Sequence, residues 1–322
     1  MRPSRRLKYC GGLTVGLTTI IFLRKSSTDS GVSSGQWYRS HHLEQDTLSL
    51  SIGTVVAAQS SDDTEWLSTL LPAWNHTIYL TDQPRNMSST FAGKGHEALV
   101  YLNHVIEEYD FLPDIVIFLH AKRYQWHNDD PLYDNARVLS RLQLDYVQRQ
   151  GYVNLRCSWR PGCPSEIKPF KDALGPLSNE YGIRTAPLYA RAFKQLFPEL
   201  EVPADVGVPC CAQFAVTKAR IQQRSKDNYK TLRQWLLDTD LGDNITGRLF
   251  EYMWHIMLGE KATICPTAKD CYCRTYGLCN LACHESGACD SHPFPKYSNL
   301  PEGWPWYDWD GEWQNATLLE QG

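Results

Sequence analysis

The sequence predicts an α/β fold, an open sheet flanked by helices that carries a disulfide-rich C-terminal segment. The clearest evidence is the apolar run Ile115–Leu119 after Pro113-Asp114, which is too short for a helix and contains no polar position. Such an unbroken run is typical of a central strand that is covered on both faces. Strand and helix patterns alternate on either side of this run, and ten of the eleven cysteines follow residue 156.

Two strand-and-helix pairs precede the central strand. Ile52–Ala58 predicts the first strand, and the polar capping sequence before Glu65 predicts a helix that starts there. Thr77–Leu80 predicts a second strand, and a helix from Lys94 to Tyr109 leads to the central one. A strand followed by a helix is how nucleotide-binding α/β units begin.

The remaining elements of the predicted domain follow the central strand. The patterns predict helices at Tyr133–Gln150, Thr217–Arg224, Tyr229–Leu237 and Gly247–Leu258, and strands at Tyr152–Leu155 and Cys210–Val216. We therefore expect an α/β domain over residues 51–262. Residues 263–322 are expected to form a Cys-rich and Trp-rich extension that packs on this domain.

The N-terminal sequence predicts a membrane anchor. Residues 1–25 are interpreted as a cytosolic tail and signal-anchor segment, and residues 26–50, rich in Ser, Thr, Gly and His, as a flexible stem. Tyr9–Leu23 is uncharged, and the basic residues before it outnumber those directly after it, which predicts a cytosolic start. We expect a single-pass type II membrane protein of the endoplasmic reticulum or Golgi. A cleaved signal peptide and a secreted product is the alternative.

Two features favour a lumenal or extracellular location. Asn-x-Ser/Thr glycosylation acceptors occur at Asn75, Asn86, Asn244 and Asn315. An even number of cysteines is predicted to form disulfide bonds, namely Cys157, Cys163, Cys210, Cys211, Cys265, Cys271, Cys273, Cys279, Cys283 and Cys289. Cys157 and Cys163 are expected to pair with each other, and the last six cysteines to form three bridges. A zinc site is the alternative for those six.

The composition narrows the choice of partners. With 32 basic and 36 acidic residues the formal net charge is −4. The composition therefore gives no indication of a basic surface that would bind nucleic acid. The 11 Trp and 17 Tyr residues suit contact with carbohydrate or protein.

Polar and aromatic residues crowd the carboxyl end of the central strand, where ligands bind in open α/β sheets. They are His120, Lys122, Arg123, Trp126 and His127. On the predicted helix Gly247–Leu258, Glu251 and His255 lie one turn apart. A carboxylate beside an imidazole is the arrangement of a general base and the group that orients it. A solvated helix face is the alternative.

The chain also carries a series of motifs in a fixed order. They are Glu65-Trp66-Leu67, Gly95-His96-Glu97-Ala98 through Tyr101-Leu102, Pro113-Asp114 with Phe118-Leu119-His120, Trp126-His127, Pro161-Gly162-Cys163-Pro164, Cys211–Val216 and Phe250–His255. Over about residues 52 to 290 this series resembles the fungal family catalogued as domain of unknown function 3431. More distantly, the architecture is similar to the Rossmann-like GT-A nucleotide-sugar glycosyltransferases, which are often type II, lumenal and disulfide-bonded.

The glycosyltransferase resemblance implies roles for particular residues. Ala212–Lys218 resembles the acceptor-side strand of branching N-acetylglucosaminyltransferases, which implies that Gln213 binds substrate. Many GT-A enzymes hold a divalent metal through Asp-x-Asp after a hydrophobic strand, but this position reads His120-Ala121-Lys122. The two Asp-x-Asp matches, at Asp238 and Asp308, lie at a helix end and in the Trp-rich tail.

The sequence thus predicts a glycosyltransferase-like enzyme without a metal site or cofactor, which moves a sugar from a nucleotide sugar to a glycan or a small hydroxyl acceptor. The expected catalytic residues are Glu251, His255 and His120. The expected substrate-binding residues are Lys122, Arg123, Trp126, His127, Gln213 and Trp254, with the two cations offsetting diphosphate charge. Two alternatives stay open: a non-catalytic lumenal or cell-wall protein that binds glycans through its Trp-rich end, and a tailoring protein of fungal secondary metabolism.

Overall fold

The computed structural model describes residues 50–82, 94–179 and 182–319. The predicted cytosolic tail and membrane anchor, and the stem up to residue 49, lie outside these ranges, as do Cys10 and Asn86. Among the helices within the ranges, none has both the length and the hydrophobicity that crossing a bilayer requires.

Short strands and helices alternate along the described chain. The strands are β1 (Ile52–Ala58), β2 (Asn75–Leu80), β3 (Ile115–His120), β4 (Tyr152–Asn154), β5 (Ser178–Asn179), β6 (Gly182–Ile183) and β7 (Phe214–Thr217). The helices are α1 (Glu65–Leu70), α2 (Glu97–Glu107), α3 (Asn135–Arg141), α4 (Leu144–Gln150), α5 (Pro169–Asp172), α6 (Ala186–Leu196), α7 (Lys218–Ile221), α8 (Lys226–Asp238), α9 (Asp243–Glu251), α10 (Trp254–Met257), α11 (Ala268–Tyr276) and α12 (Ala316–Leu319).

Five of the described strands form one open sheet in the order β2-β1-β3-β7-β4. β1 pairs in parallel with β2 and β3, whereas β7 runs antiparallel to β3 and β4. The predicted central strand is confirmed, because Ile115–Leu119 lies in β3 and each of its residues is at most 1 % exposed. Helices flank this sheet, so the predicted α/β class is also confirmed.

Side chains that alternate along β3 build a separate core on each face of the sheet. Val116 and Phe118 pack with residues of α2 and α8, whereas Ile117 and Leu119 pack with residues of α1, α3 and α11. The helices that follow β1 and β2 therefore cover opposite faces. As a result, β1 has β2 on one side and β3 on the other, and the order of the strands reverses at β1.

The predicted helix Tyr133–Gln150 is interrupted and contains α3 and α4. Asp134 begins α3, because its side chain accepts a hydrogen bond from a backbone N–H of the first turn. Leu142 ends α3 in a non-helical conformation with ψ of 121°. The apolar periodicity continues across this break, so the sequence pattern does not reveal it.

The predicted helix Gly247–Leu258 is interrupted as well. The structure divides it into the end of α9 and the short α10, with Tyr252 and Met253 between them. Met253 leaves the helical region with φ of −121° and ψ of −19°. Residues on the two sides of this break do not share one helix face. Glu251 and His255, which were expected to act together as a general base and its orienting group, lie on opposite sides of it.

Two further differences concern residues 184–217. The sequence pattern missed α6, although Pro187 stands at a helix start, where proline is tolerated. The predicted strand from Cys210 begins only at Phe214, because Cys211 and Ala212 have positive φ values. Positive φ is incompatible with an extended strand and places a turn directly before β7.

All ten cysteines after residue 156 are disulfide-bonded, as predicted. The pairs are Cys157–Cys271, Cys163–Cys265, Cys210–Cys211, Cys273–Cys279 and Cys283–Cys289. The predicted bridge between Cys157 and Cys163 is wrong, and the last six cysteines form two bridges among themselves rather than three. The other two reach back to the loop after β4 and tie the C-terminal extension to the α/β domain. These two bridges span 114 and 102 residues. Closing a loop of that length lowers the entropy of the unfolded chain and so stabilises the folded state by about 4–5 kcal/mol per bridge.

The predicted glycosylation acceptors differ in their surroundings. Asn75 is exposed at the first residue of β2, and Asn244 is exposed in the first turn of α9. Asn315 is half-buried just before α12. The surface thus leaves Asn75 and Asn244 accessible, and their glycosylation stays a prediction.

Candidate active site

A cleft of about 720 Å³ opens at the carboxyl ends of β1 and β3. Because the strand order reverses at β1, the chain connections leave this point in opposite directions. In open α/β sheets such a point is where the ligand crevice lies. Side chains that line the cleft include Asp62, Glu97, His120, Lys122, Trp126, His127 and Trp304.

The C-terminal segment supplies one wall of this cleft. Its residues between 298 and 304 line the cleft together with the loop after β3. Trp304 donates a hydrogen bond from Nε1 to the carbonyl oxygen of Leu132 at 2.7 Å. The Trp304 ring also packs on Tyr133, with 5.7 Å between ring centroids, and on Trp309 at 5.3 Å. These contacts fix the Trp-rich tail against the loop that carries the predicted site residues.

His120, the last residue of β3, is half-buried and lines the cleft. Its Nε2 lies 2.7 Å from the carbonyl oxygen of Cys211, so in the neutral ring this nitrogen carries the proton and donates it. In the described part of the chain, Nδ1 has no hydrogen-bond partner. Its lone pair is therefore available to accept a proton from a bound molecule.

His127 and Trp126 extend a stack of rings from His120. The centroids of His120 and His127 are 4.8 Å apart with an interplanar angle of 23°, and Trp126 lies 4.1 Å from His127. Burial, together with the nearby His120 and Arg156, lowers the pKa of His127 to about 2. The His127 ring therefore stays neutral and serves as a flat packing surface.

The two cations predicted to bind a diphosphate lie in different surroundings. Lys122 is exposed in the cleft, and its ammonium group has no ion-pair or hydrogen-bond partner among the described residues. Arg123 binds both carboxylate oxygens of Asp134, with Nε–Oδ1 at 2.9 Å and Nη2–Oδ2 at 2.7 Å. Arg123 thus holds the loop after β3, and Lys122 is the stronger candidate for contact with an anion.

The cleft also contains two carboxylates that the sequence did not predict to be part of the site. They belong to Asp62 and Glu97. Asp62 accepts a hydrogen bond from the backbone N–H of Gln59 at 2.9 Å. Glu97 is half-buried at the first residue of α2 and has no partner within the described ranges. The signal that could have found Glu97 is its place at a helix start after β2, because helix N-termini face the ligand crevice of such sheets.

His96 connects this helix start to α9. Its Nε2 lies 2.9 Å from Oδ1 of Asn244, and its φ of 53° is rare for a residue other than glycine. The ring fits because residue 247 is glycine: a Cβ at Gly247 would come within 2.7 Å of Cδ2 of His96. The edge of the cleft formed by α2 is therefore fixed by α9.

Glu251, the predicted general base, ends α9 and is not among the described residues that line the cleft. Its Oε1 accepts a hydrogen bond from the backbone N–H of Cys211 at 2.7 Å, and its Oε2 lies 3.4 Å from Nη1 of Arg248. Burial raises the pKa of Glu251, and Arg248 and the Cys211 N–H partly offset this effect. Cys211 also binds His120 through its carbonyl oxygen. Glu251 therefore stabilises the backbone that holds His120 and does not itself line the cleft.

The residues expected to accompany Glu251 lie elsewhere. His255 is fully buried in α10, with Nε2 3.0 Å from the carbonyl oxygen of Ala262, and burial lowers its pKa to about 4. The break between α9 and α10 separates it from Glu251, so it does not orient that carboxylate. Trp254 is 2 % exposed and packs against Phe118 and other aromatic rings of the core, so the structure gives it no access to a substrate.

Gln213 is buried and links β7 to the loop after β3. Its Oε1 accepts hydrogen bonds from the backbone N–H of His120 at 3.1 Å and from Nδ2 of Asn135 at 3.2 Å. Its Nε2 donates to Oδ1 of Asn128 at 3.1 Å. The amide was predicted to bind substrate, but the structure uses it to hold His120 and the loop in place.

Buried carboxylates shape the same loop. Asp129 accepts a hydrogen bond from the Tyr272 hydroxyl at 2.9 Å, which joins the loop to α11. Asp130 pairs with Arg137 at 2.9 Å. These contacts join the loop that carries Lys122 and Trp126 to α3 and α11.

Potential metal ligands come together at one place among the described residues, where ligand atoms of Cys210, Cys211 and Glu251 lie within 4.8 Å of one another. The two sulfurs are bonded to each other and so offer no thiolate. The Asp-x-Asp matches are not among the described residues that line the cleft: Asp238 ends α8 beside a separate cavity, and Asp308 lies in a turn of the Trp-rich tail.

Comparison with known proteins gives one match. A family model described as a protein of unknown function (DUF3431) matches residues 54–274. This range runs from β1 into α11 and includes both His120 and Glu251. No curated protein and no solved structure matches the chain.

Proposed function

The chain belongs to the DUF3431 family, and we propose that its cleft transfers a sugar from a nucleotide sugar to a hydroxyl group of a glycan or a small acceptor. The observation that carries this proposal is the state of His120. Its Nε2 is bound to the carbonyl oxygen of Cys211, whereas its Nδ1 is unpartnered within the described residues. A neutral imidazole held in this way can take a proton from a hydroxyl group.

The cleft suits a nucleotide sugar in size and lining. Its volume of about 720 Å³ lies within the range of small-molecule sites, about 300–1,000 Å³. Trp126 and Trp304 offer aromatic faces on which a base or a sugar ring can stack. The carboxylates of Asp62 and Glu97 can accept hydrogen bonds from ribose or sugar hydroxyl groups. Lys122 supplies positive charge for the diphosphate.

The proposed reaction assigns a role to His120 and to Lys122. Nδ1 of His120 takes the proton of the acceptor hydroxyl as that oxygen bonds to the anomeric carbon of the donor sugar. The bond from this carbon to the diphosphate oxygen breaks, and Lys122 stabilises the negative charge that develops on the diphosphate. We propose a metal-independent transfer, because the residues that follow the apolar run of β3 are His120-Ala121-Lys122 rather than a pair of carboxylates.

We also propose that this enzyme works in the secretory pathway as a type II membrane protein. Support comes from the five disulfides of the described residues, because such bonds form and persist in oxidising compartments. The N-terminal anchor that this location requires is predicted from the sequence.

The proposal is tested with the full-length chain in buffer that contains EDTA. Melting temperature and donor hydrolysis are measured with UDP-glucose, UDP-N-acetylglucosamine and GDP-mannose. We expect at least one donor to raise the melting temperature and to be hydrolysed slowly. His120→Asn should abolish hydrolysis, whereas the surface variant His284→Asn should not, since the His284 side chain is 81 % exposed and lies outside the cleft. If no donor shifts melting and none is hydrolysed, sugar transfer is excluded for this panel.

A second candidate function is glycan binding without catalysis, which exposed aromatic side chains near the C terminus favour. Tyr297, Trp306 and Trp313 are 59, 48 and 64 % exposed. A glycan-binding protein of this kind would lose affinity for immobilised oligosaccharides in the double variant Trp306→Ala/Trp313→Ala, and His120→Asn would leave that affinity unchanged. Loss of turnover in His120→Asn would instead identify an enzyme.

A further inference from the structure

Two adjacent cysteines behind the cleft are bonded to each other. Cys210 and Cys211 form a disulfide across a single peptide bond, and they are 1 and 4 % exposed. The bond closes a small ring that contains this peptide bond, so the segment has few conformations left. Neither residue is among the described residues that line the cleft, so neither sulfur is placed to react with a substrate.

The backbone of this segment has a conformation that L-amino acids avoid. Its φ values are 96° at Cys211 and 49° at Ala212. Residues other than glycine keep such values only where their surroundings fix them, and they are frequent at functional sites. Two hydrogen bonds fix the segment in addition to the disulfide. The Cys211 N–H donates to Oε1 of Glu251 at 2.7 Å, and the Cys210 N–H donates to the carbonyl oxygen of Pro161 at 3.0 Å.

The group that this segment holds is His120. The carbonyl oxygen of Cys211 lies 2.7 Å from Nε2 of His120, and Oε1 of Gln213 accepts the backbone N–H of the same histidine at 3.1 Å. Residues 211–213 thus fix both the ring and the backbone of His120. If the Cys211 carbonyl turned away, Nε2 would lose its acceptor, and the ring proton could occupy Nδ1 instead.

We propose that the Cys210–Cys211 disulfide and Glu251 are positioning groups that keep His120 in the tautomer with Nε2 protonated and Nδ1 free. The disulfide restrains the Cys211 backbone covalently, and Glu251 restrains it through its N–H. Neither group touches the substrate. The tautomer follows from the geometry alone, whereas its effect on turnover rests on the proposed sugar transfer.

The first experiment observes the histidine rings of the full-length chain directly. Two-bond proton–nitrogen correlation NMR on protein with isotope-labelled histidine distinguishes protonated from unprotonated ring nitrogens, and the spectrum of His120→Asn assigns the His120 signals. We expect the tautomer with a proton on Nε2. A dominant tautomer with the proton on Nδ1 in the wild-type protein overturns the proposal without any further variant or activity assay.

The second experiment removes the disulfide. Cys210→Ser/Cys211→Ser should give a mixture of His120 tautomers and lower kcat at least about tenfold, because general-base catalysis contributes about 10²–10⁴-fold. KM for the donor should stay within about threefold, since the donor contacts are unchanged. The matched control Cys273→Ser/Cys279→Ser breaks a bridge between α11 and the segment after it, whose two cysteines are 6 positions apart in sequence. It should change neither the His120 tautomer nor kcat.

The outcomes separate the inference from the proposed function. An unchanged His120 tautomer in Cys210→Ser/Cys211→Ser overturns the inference, whatever the activity of that variant. If that variant does not fold, Glu251→Ala tests the other restraint in the same way, and Glu251→Gln, which keeps an acceptor oxygen, should retain the wild-type tautomer. A changed tautomer together with a wild-type protein that turns over no donor supports the positioning role and contradicts sugar transfer.

Discussion

His120 and Glu251 bind the two polar backbone groups of one residue. Nε2 of His120 lies 2.7 Å from the carbonyl oxygen of Cys211, and Oε1 of Glu251 lies 2.7 Å from its backbone nitrogen. This relationship changes the role that the sequence suggested for Glu251, from a base in the cleft to a support for the histidine that lines it. Variants of the residues around His120 can therefore distinguish residues that position His120 from residues that take part in the reaction.

Replacement of Glu251 should distinguish these two roles. Glu251→Gln keeps an oxygen that can accept the Cys211 N–H, so donor hydrolysis should stay within about threefold of wild type. Glu251→Ala leaves this N–H unpaired, at a cost of about 1–3 kcal/mol, and should lower kcat about tenfold. Steady-state kinetics measure both effects. Equal loss of activity in the two variants would contradict a role for Glu251 that consists only of accepting the Cys211 N–H.

Replacement of Lys122 should weaken donor binding. Lys122→Met removes the exposed ammonium group of the cleft, and a charge-assisted hydrogen bond to the diphosphate contributes about 1.5–3 kcal/mol, so KM for the donor should rise at least about tenfold. The matched control is Lys269→Met, at an exposed position of α11. Comparable KM values for the two variants would place Lys122 away from the diphosphate.

Acid should destabilise the fold through buried histidines. Burial lowers the pKa of His104 from 6.5 to about 4, so between these pH values the unfolded chain binds a proton that the folded chain does not. Because of His104, the free energy of unfolding therefore decreases as the pH falls from about 6.5 to about 4, by up to about 1.4 kcal/mol per pH unit.

Urea denaturation at about pH 7 and about pH 5 measures this dependence. His104→Asn should make this dependence shallower, because asparagine does not titrate while other buried histidines such as His255 still do; the exposed His284→Asn should leave it as in wild type. The same pH dependence in His104→Asn and wild type would show that His104 binds its proton equally in both states.

The disulfides should differ in their contributions to stability. Cys157–Cys271 joins residues 114 positions apart, whereas Cys273–Cys279 joins residues 6 apart. Loop-closure entropy predicts losses of about 4–5 kcal/mol and about 2 kcal/mol when each pair is replaced by serine. Urea denaturation of the two double variants measures the difference, and equal losses would contradict this explanation.

The centre of the fold and one side of the cleft could be predicted because local sequence determines them. The run Ile115–Leu119 has the composition of a strand buried on both faces, and His120 must then lie at its carboxyl end. Asp62, Glu97 and Trp304 could not be assigned to the cleft in this way. They come from separate segments that only the packing of α1, α2 and the C-terminal tail brings together.

The disulfide pairing and the helix breaks could not be predicted for related reasons. Which cysteines meet depends on which loops pack together, and the loop with Cys157 and Cys163 packs on the C-terminal extension rather than on itself. The apolar pattern of Gly247–Leu258 fits a single helix, but the structure turns between Glu251 and His255. A pair that depends on helical spacing is lost at such a turn.

The sugar transfer that we propose for this cleft assigns His120 as the group that accepts the acceptor's proton. The direct measurement is the rate of donor hydrolysis by wild type and by His120→Asn in EDTA, with the donor that shifts melting most. We expect the rate to fall about 100-fold or more in the variant, while the donor still raises its melting temperature. Equal rates for the two proteins would contradict a catalytic role for His120.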